Sequence, residues 1–390
     1  MDVPDVVKEW NIRCAQCGDC RISAAIFLPS CPPGTRFKFS SYYATGRMLI
    51  GRGIQEGVLT LEDDDVLERL YTCTVCRSCD ENCTNLIGGH IVDVIESLRQ
   101  MAVSAGCTLP AHQIMIESLK KNDNVLERPK EERGAWSEGL NLKNLSEDGI
   151  DVAFRAGCLL SLEPEIRGPA LAALKLLRTA GVDVGIEGKD EACCGGRAYE
   201  IGQVAEFTKY AEHNIDAYNN AGVSKVVLCC ADGLSHLKLL YPKLNIKMNF
   251  EVLHLVEYLD RLIQEGNIKF TREVPMKVTY HDPCHLGRYA GIYDAPRNIL
   301  HRIPGIELVE MERRREHSWC CGAGGGVKQA YSEFSLWTAE ERIKEAKGTG
   351  ATALVTSCPW CERNFKEAIK EHGEDIEVYD IAEIAAQAVQ

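Results

Sequence analysis

Positive charge is scarce in this sequence of 390 residues, in which 44 Lys and Arg face 57 Asp and Glu and the formal net charge is −13. Nucleic acids and anionic membrane surfaces are bound through clustered lysines and arginines, so neither is expected as a direct partner. Long apolar runs are also lacking, because none approaches the roughly 20 residues that cross a bilayer. The start, MDVPDVVKEW, has neither a basic region nor an apolar core, and we expect a cytoplasmic protein without a secretory signal.

A glycine-rich nucleotide-binding loop is missing too. The run GAGGG at 322–326 is followed by Val327, where the third glycine of G-x-G-x-x-G would fall. We therefore expect neither NAD nor FAD as a cofactor of this chain.

Cysteine, by contrast, is several times more frequent than usual, with 19 residues. Reducing compartments do not maintain structural disulfides. The thiols of a chain without a secretory signal are therefore expected to be metal ligands or redox groups, and their spacing decides between the two.

The chain after residue 150 is an internal repeat. Short β-branched runs alternate there with helix-length stretches, which is typical of an α/β fold. The segment DVAFRAGCLLS (151–161) matches KVTYHDPCHLG (277–287), and CCGG matches CCGA. The offset in residue number between matched cysteines is 126 for Cys158 and Cys284, 127 for Cys193 and Cys320, and 128 for Cys230 and Cys358. We expect two similar α/β units that pack about a pseudo-twofold axis.

These patterns predict the domain boundaries. Residues 1–120 combine two groups of four cysteines with helical periodicity and are predicted to form an α-helical ferredoxin domain. Residues 121–149 are polar, lack sustained periodicity and are predicted to be a linker. The two repeats are predicted to occupy residues 150–272 and 273–390.

Eight of the nine cysteines of the first domain have the spacing of iron–sulfur ligands. A C-x2-C-x2-C run presents three thiolates to one face of a [4Fe–4S] cube, and the fourth ligand comes from the other run, as in two-cluster ferredoxins. Assigned in this way, one cubane takes Cys14, Cys17, Cys20 and Cys83, and the other takes Cys73, Cys76, Cys79 and Cys31. Two features depart from the usual pattern, because ten residues separate Cys20 from Cys31 and Thr84 replaces the proline after Cys83. Zinc is the alternative, although two separated C-x2-C pairs would suit it better than two triplets.

The second repeat contains Cys284, then Cys320-Cys321 after 35 residues, then Cys358-Pro-Trp-Cys361 after a further 36. This pattern resembles the cysteine-rich CCG motif of the heterodisulfide reductase catalytic subunit family, to which iron–sulfur subunits of anaerobic glycerol-3-phosphate and lactate oxidation are related. The resemblance covers nearly the whole chain, because the fused form in that family joins a two-cubane module to two CCG repeats. A thioredoxin-like dithiol is the alternative for Cys358 and Cys361 taken alone.

The resemblance implies a noncubane [4Fe–4S] cluster in the second repeat, held by Cys284, Cys320, Cys321, Cys358 and Cys361. The first repeat is incomplete, because Gly233 stands in the place of Cys361 and Cys229 is an extra thiol beside Cys230. Two alternatives stay open for this repeat. It either holds a second noncubane cluster through Cys158, Cys193, Cys194, Cys229 and Cys230, or it is purely structural.

Four polar residues near these motifs have candidate roles. His281 and His285 flank Cys284. They either hydrogen-bond to thiolates, cap the end of a strand, or act as catalytic groups that deliver protons to a substrate thiolate. Arg197 and Arg288 are expected to be solvated, with polarisation of a cluster or binding of an anionic substrate as the alternative.

Two functions are consistent with the sequence. The first is an iron–sulfur electron-transfer subunit of an anaerobic oxidoreductase complex, which passes electrons between the cubanes and the noncubane cluster. The second is a catalytic subunit that reduces a heterodisulfide-type substrate at the noncubane cluster. Gly233 favours the first. Both require partner subunits, namely a flavoprotein, a ferredoxin-like protein or a membrane quinone-linked subunit, and such a partner would associate this chain with the inner face of the membrane.

Overall fold

The computed structural model describes residues 3–23, 25–145 and 149–390; residues 146–148, in the predicted linker, lie outside the described residues. The N-terminal part is helical and contains a two-stranded antiparallel ribbon. Its elements are α1 (Asp5–Asn11), β1 (Ile22–Ser23), β2 (Leu28–Pro29), α2 (Pro32–Phe37), α3 (Ala44–Gln55), α4 (Asp64–Tyr71), α5 (Ser78–Glu81), α6 (Ile91–Ser104) and α7 (Pro110–Asn122).

Helix α6 is the centre of this part and packs against α1, α3 and α4. Its apolar residues recur at helical spacing, and Val94, Ile95 and Leu98 are fully buried. Helix α4 begins at Asp63, whose side chain accepts a hydrogen bond from the Asp65 N–H. The helices hold the loops that carry the cysteines between α1 and α2 and between α4 and α5.

A five-stranded parallel sheet forms the first repeat, with the strand order β3-β5-β4-β6-β7. Its elements are β3 (Lys143–Asn144), β4 (Val152–Arg155), α8 (Gly157–Leu162), α9 (Gly168–Thr179), β5 (Val184–Ile186), α10 (Gly196–Glu200), α11 (Val204–Ala221), β6 (Lys225–Leu228), α12 (Ala231–Ser235), β7 (Glu251–His254) and α13 (Leu255–Gln264). Strands β4 and β6 are almost continuously apolar and buried, as expected for central parallel strands.

The second repeat is a four-stranded parallel sheet with the strand order β9-β8-β10-β11. Its elements are β8 (Met276–Tyr280), α14 (Asp294–Arg302), β9 (Ile306–Leu308), α15 (Val327–Ala330), α16 (Ser332–Gly348), β10 (Ala353–Thr356), α17 (Pro359–His372), β11 (Glu377–Asp380) and α18 (Ile381–Ala388). The order repeats that of β5, β4, β6 and β7, so the prediction of two similar α/β units is confirmed.

The strand order places the cysteines at the carboxyl ends of the strands in each sheet. Strand β4 lies between β5 and β6, and β8 lies between β9 and β10. In each sheet the chain therefore adds the next strand on one side of β4 or β8 and the following strand on its other side, which is a topological switch point. Ligands of open α/β sheets bind beyond the carboxyl ends of the strands at such a switch point. Cys158 follows β4 and Cys230 follows β6, while Cys284 follows β8 and Cys358 follows β10.

The described part of the predicted linker lies against the first repeat. Residues 143–144 add β3 to the edge of its sheet beside β5. Trp136 and Arg133 are buried, although the surrounding stretch is strongly polar. In the part of the chain that the structure describes, no helix has the length and apolar character needed to cross a membrane.

Candidate iron–sulfur sites

The first N-terminal thiol group consists of Cys14, Cys17, Cys20 and Cys83. Burial raises the pKa of Cys83, and the nearby charges of Cys17 and Cys14 raise it further. The Asn85 amide donates a hydrogen bond to Cys17 Sγ at 3.2 Å. Burial raises the pKa of Cys20 to about 12, and the charge of Cys31 also raises it. The Ser30 hydroxyl donates to the Cys20 carbonyl oxygen at 3.2 Å, so Cys20 lies beside the residue that precedes Cys31 of the next group.

The second N-terminal thiol group consists of Cys31, Cys73, Cys76 and Cys79. Burial raises the pKa of Cys31 to about 12, and the charges of Cys73 and Cys76 raise it further. Burial, Asp80 and the same two thiols hold the pKa of Cys79 well above its usual value. Buried thiols of this kind cannot ionise together unless a cation neutralises them. Iron supplies that charge, so both groups fit a [4Fe–4S] cubane in number and type of ligand.

The second-repeat site consists of five buried thiols, Cys284, Cys320, Cys321, Cys358 and Cys361. They form a continuous line of contacts. Cys284 is hydrogen-bonded to Cys320, and Cys361 is hydrogen-bonded to both Cys321 and Cys358. Hydrogen bonds from Cys320 and Cys361 lower the pKa of Cys321 to about 5. All five sulfurs thus converge in one water-poor region, as a cluster with five thiolate ligands requires.

A glycine after each cysteine pair turns the backbone toward the sulfur. Gly322 has φ +91° and its N–H donates to Cys320 Sγ at 3.3 Å. Gly195 has φ +73° and its N–H donates to Cys193 Sγ at 3.4 Å. Only glycine adopts this conformation without strain. Backbone N–H bonds to sulfur stabilise thiolate charge and tune the potential of a bound cluster, and both repeats share this feature.

The two histidines beside Cys284 face different sites. Arg342 donates its Nε–H to His281 Nδ1 at 3.2 Å, so the ring proton of His281 is on Nε2. A ring nitrogen of His281 lies within 4.8 Å of the sulfurs of Cys321 and Cys361. Burial holds the pKa of His281 well below its usual value, and the neutral ring is placed to donate a hydrogen bond to these thiolates. His285 instead faces the first repeat.

The first-repeat site is a pocket that four thiols line, Cys158, Cys193, Cys194 and Cys230. A hydrogen bond from Cys193 and the charge of Arg133 lower the pKa of Cys158 to about 6, against the effect of its burial. Gly233 also lines the pocket, and its N–H donates to Cys230 Sγ at 3.4 Å. The N–H of Cys361 bonds Cys358 in the same way, so the first repeat lacks only the fifth thiol itself.

Cys229 is not among the residues that line this pocket. Successive residues at the end of a strand point to opposite faces of the sheet. Cys230 points to the pocket, whereas Cys229 is buried near Asp380 and Glu362, and burial followed by these two charges holds its pKa well above the usual value. The structure does not bring Cys229 to the other first-repeat thiols.

Thiols of different sites also touch each other. Cys230 of the first repeat is hydrogen-bonded to Cys358 of the second. Cys76 of the N-terminal domain is hydrogen-bonded to Cys320 and packs with Cys284 in one buried cluster. The thiols therefore form a continuous buried path from the N-terminal domain through the second repeat to the first.

The expectation that Arg197 and Arg288 are solvated is wrong, because both are buried. Arg197 forms ion pairs with Glu200, at 2.7 Å, and with Asp232. Arg288 donates hydrogen bonds to the carbonyl oxygens of Cys76 and Ser318. The charge of Arg197 is thus neutralised, and Arg288 fixes the N-terminal domain to the second repeat.

Two residues that contact these thiols were not found by sequence reasoning. Arg133 donates to Cys158 Sγ at 3.4 Å and to Glu191 at 3.0 Å, although it belongs to the predicted linker. His236 is hydrogen-bonded to Cys194. Neither residue belongs to a motif, and a charged residue in a polar stretch gives no signal that distinguishes it from a surface residue.

Comparison with known proteins agrees with this arrangement. The CCG cysteine-rich domain model matches residues 152–238 and 278–366, and the 4Fe-4S dicluster domain model matches residues 10–87. A subunit of the dihydromethanophenazine:CoB–CoM heterodisulfide reductase of Methanosarcina mazei is 33% identical over 96% of this chain and 93% of its own length. The EtfAB:quinone oxidoreductase of Syntrophomonas wolfei is 32% identical over 83% of this chain and 47% of its own length.

A crystal structure of a hypothetical protein from Helicobacter pylori superposes with a TM-score of 0.64 at 11% identity, over 89% of this chain and 67% of that one. At this identity the likeness concerns the fold alone. The sequence match to the methanogen protein spans nearly the full length of both chains, and the matched family models cover both cysteine patterns. This chain therefore belongs to the family of heterodisulfide reductase subunits that join a 4Fe-4S dicluster domain to two CCG cysteine-rich domains.

Proposed function

We propose that this protein is the iron–sulfur electron-transfer subunit of an anaerobic oxidoreductase complex. Each N-terminal thiol group holds a [4Fe–4S] cubane, and the second-repeat site holds a noncubane [4Fe–4S] cluster. When bound, these clusters take up and release single electrons. The protein's own groups hold the thiolates in place, exclude water from them and stabilise their charge through N–H bonds such as that from Gly322.

The continuous path of thiols is the observation that carries this proposal. The hydrogen bond from Ser30 to the Cys20 carbonyl oxygen places Cys31 next to the first N-terminal group, and Cys76 brings the second group against Cys320 and Cys284. Electron transfer between clusters requires short separations and a fixed geometry. Buried Arg288, which bonds the carbonyl of Cys76 and the loop before Cys320, supplies that rigidity.

A second candidate is the reduction of a heterodisulfide-type substrate at the noncubane cluster. The contact of Cys230 with Cys358 favours it, because two adjacent CCG sites lie where two sulfur atoms of a substrate could be held. Two observations favour the electron-transfer function instead. Gly233 leaves the first site without a fifth thiol, and Arg197 between the sites has its charge neutralised by Glu200 and Asp232.

We also propose a pseudo-twofold relation between the repeats. Cys230 and Cys358 occupy equivalent positions, with an offset of 128 in residue number. A contact between equivalent positions is what a twofold axis produces, since the same patch then meets itself. The identical order of the central strands supports this relation.

The partners follow from the proposed function. The names of the relatives include a heterodisulfide reductase subunit and a quinone oxidoreductase. By analogy, we propose a flavoprotein, a ferredoxin-like protein or a membrane quinone-linked subunit as the partner. We further propose that the protein is cytoplasmic and reaches the inner face of the membrane through that partner. Its many free thiols suit a reducing compartment.

The test is a count of iron and acid-labile sulfide per chain after anaerobic purification. About 12 irons agree with two cubanes and one noncubane cluster. About 16 irons would mean that the first repeat holds a cluster too, and the disulfide chemistry would become the leading function. Cleavage of a heterodisulfide by the isolated, chemically reduced chain would overturn the electron-transfer proposal. Absence of cleavage, with rapid oxidation of a reduced flavoprotein, would support it.

A further inference from the structure

Three buried side chains from both repeats meet between the first-repeat site and the second-repeat site. They are Glu200 at the end of α10, His236 after α12 and His285 after β8, and we name them the inter-repeat triad. One ligand atom from each lies within 4.8 Å of the other two, and all three residues are buried. None of the three belongs to a cysteine motif.

The carboxylate of Glu200 has one oxygen occupied and one free. Oε2 accepts hydrogen bonds from Arg197 at 2.7 Å and from the Gly325 N–H at 3.0 Å. Oε1 is buried and has no hydrogen-bond partner among the described residues. It lies 3.3 Å from His285 Nε2 and 3.6 Å from His236 Nε2. A buried carboxylate oxygen without a hydrogen-bond donor requires a cation close to it, and in the part of the chain that the structure describes only the two histidine nitrogens face this one.

The hydrogen bonds around His285 indicate which of its ring nitrogens faces Glu200. The Ser235 hydroxyl donates to the Asp232 carbonyl oxygen at 2.9 Å, so its oxygen accepts from His285 Nδ1–H at 2.6 Å. A neutral His285 with its proton on Nδ1 turns the lone pair of Nε2 toward the carboxylate oxygen. Two lone pairs that face each other across the 3.3 Å between these atoms repel unless a cation lies between them. Metal-binding histidines are typically oriented in this way, by a hydrogen bond from the ring nitrogen that does not bind the metal.

We propose that the inter-repeat triad binds a zinc ion through Glu200 Oε1, His236 and His285. Ligand atoms at about 2.0–2.1 Å from a tetrahedral zinc ion lie about 3.3–3.5 Å from each other. The two distances from Glu200 Oε1, 3.3 and 3.6 Å, agree with this spacing. An octahedral ion with the same bond lengths would need about 3.0 Å. Two imidazoles and one carboxylate are also a ligand set that zinc accepts.

The surroundings supply a fourth position and a suitable charge. Asp232 Oδ1 lies 3.8 Å from His285 Nε2, within reach of an ion bound by the triad. Glu200 accepts from Arg197 through Oε2 alone, so the unbonded Oε1 presents a negative oxygen to the two histidines. The ion joins two residues of the first repeat to one of the second, so it holds the two sheets in a fixed relation at their common edge.

The test measures zinc in the cluster-loaded protein, so that the cysteines of the N-terminal domain and of the second repeat are occupied by iron. Zinc bound at the free first-repeat thiols is recognised by its sulfur neighbours. Anaerobic protein is treated with a chelator, given one equivalent of zinc chloride, desalted and analysed for metals. We expect about one zinc per chain in the wild type. Glu200→Gln and His285→Gln are expected to lose at least nine-tenths of it at unchanged iron content. His254→Gln is the matched control, because His254 is equally buried and bonds only backbone and Glu257, and it should keep the zinc.

X-ray absorption at the zinc edge gives a second, independent reading. Nitrogen and oxygen neighbours at about 2.0–2.1 Å support the triad, whereas sulfur neighbours at about 2.3 Å would place the ion at cysteines and overturn the proposal. Failure of the wild type to retain zinc would also overturn it and leave a protonated His236 as the cation, since Cys194 and Glu200 raise the pKa of His236 to about 9 against the effect of its burial. These readings require no electron transfer, so they are independent of the proposed function.

Discussion

Neighbouring residues with the same side chain have different chemical environments in this protein. Cys229 and Cys230 are adjacent at the end of β6, yet only Cys230 lines the first-repeat pocket. Cys321 has a pKa lowered to about 5 by hydrogen bonds from Cys320 and Cys361, whereas burial and neighbouring thiols raise that of Cys20 to about 12. The surroundings of each sulfur differ even between adjacent cysteines, and this difference leads to two predictions about single residues.

Cys321→Ala should remove the noncubane signal and leave both cubanes intact. Cys321 contacts thiols of the second-repeat site on both sides, so its loss breaks the line of ligands at its middle. Electron paramagnetic resonance and iron analysis should show a loss of about 4 irons of about 12. Cys107→Ala is the control, because Cys107 bonds only to a backbone carbonyl. Loss of all iron from Cys321→Ala would contradict separate sites.

Gly233→Cys should complete the first-repeat site. A Cβ built on Gly233 would lie 3.8 Å from Cys230 Sγ, and only the flexible end of Leu228, at 2.8 Å, would need to move. We expect the iron content to rise from about 12 to about 16 per chain, with a second noncubane signal. Gly233→Ser, of nearly the same size, should leave the iron content unchanged. An equal iron content in the wild type and Gly233→Cys would contradict the geometry proposed for the fifth thiol.

At the scale of secondary-structure elements, strand ends and the turns beyond them build the sites. Parallel strands bring Cys158, Cys230, Cys284 and Cys358 to the carboxyl edges of two sheets of the same order. In each CCG turn, a glycine with positive φ donates its N–H to the first sulfur of the cysteine pair. A turn of this kind has little freedom to accept a side chain.

Gly322→Ala should destabilise the second CCG turn strongly. Its φ of +91° is unfavourable for alanine, and a Cβ there would lie 2.6 Å from the Ser335 carbonyl oxygen and 2.8 Å from Thr338 Cβ. We expect a loss of about 3 kcal/mol or more in the free energy of unfolding. Gly373→Ala, with φ +68° and open space around the position, should cost only about 1 kcal/mol. Anaerobic urea denaturation measures both, and equal losses would contradict the clash.

At the scale of the whole molecule, a buried arginine joins the three parts. Arg99 on α6 donates to the carbonyl oxygens of Leu70 and Cys73 in the N-terminal domain. It also donates to the carbonyls of Glu200 in the first repeat, at 2.8 Å, and Gly325 in the second, at 3.1 Å. A single guanidinium with five donors can satisfy carbonyl groups of three chain segments at once.

Arg99→Met should therefore loosen the contact between the N-terminal domain and both repeats. The variant leaves four buried carbonyl oxygens without this donor, and we expect a loss of about 3–5 kcal/mol in the free energy of unfolding. Arg52→Met is the control, since Arg52 reaches only two carbonyls at 3.4 and 3.5 Å, and it should change stability by less than about 1 kcal/mol. Limited proteolysis between the domains gives a second reading. Wild-type stability and protease resistance in Arg99→Met would contradict this role.

The sequence by itself determined which thiols are available and the type of fold that carries them. The C-x2-C-x2-C runs, the paired cysteines and the strand-like segments with offsets of 126 to 128 are local patterns, and local patterns predict elements and ligand types well. The same spacing could not predict the buried ion pairs of Arg197, the meeting of Cys230 with Cys358 or the position of His285 against Glu200. Those features depend on which face of a strand each side chain takes and on how two sheets pack, and only the tertiary structure decides both.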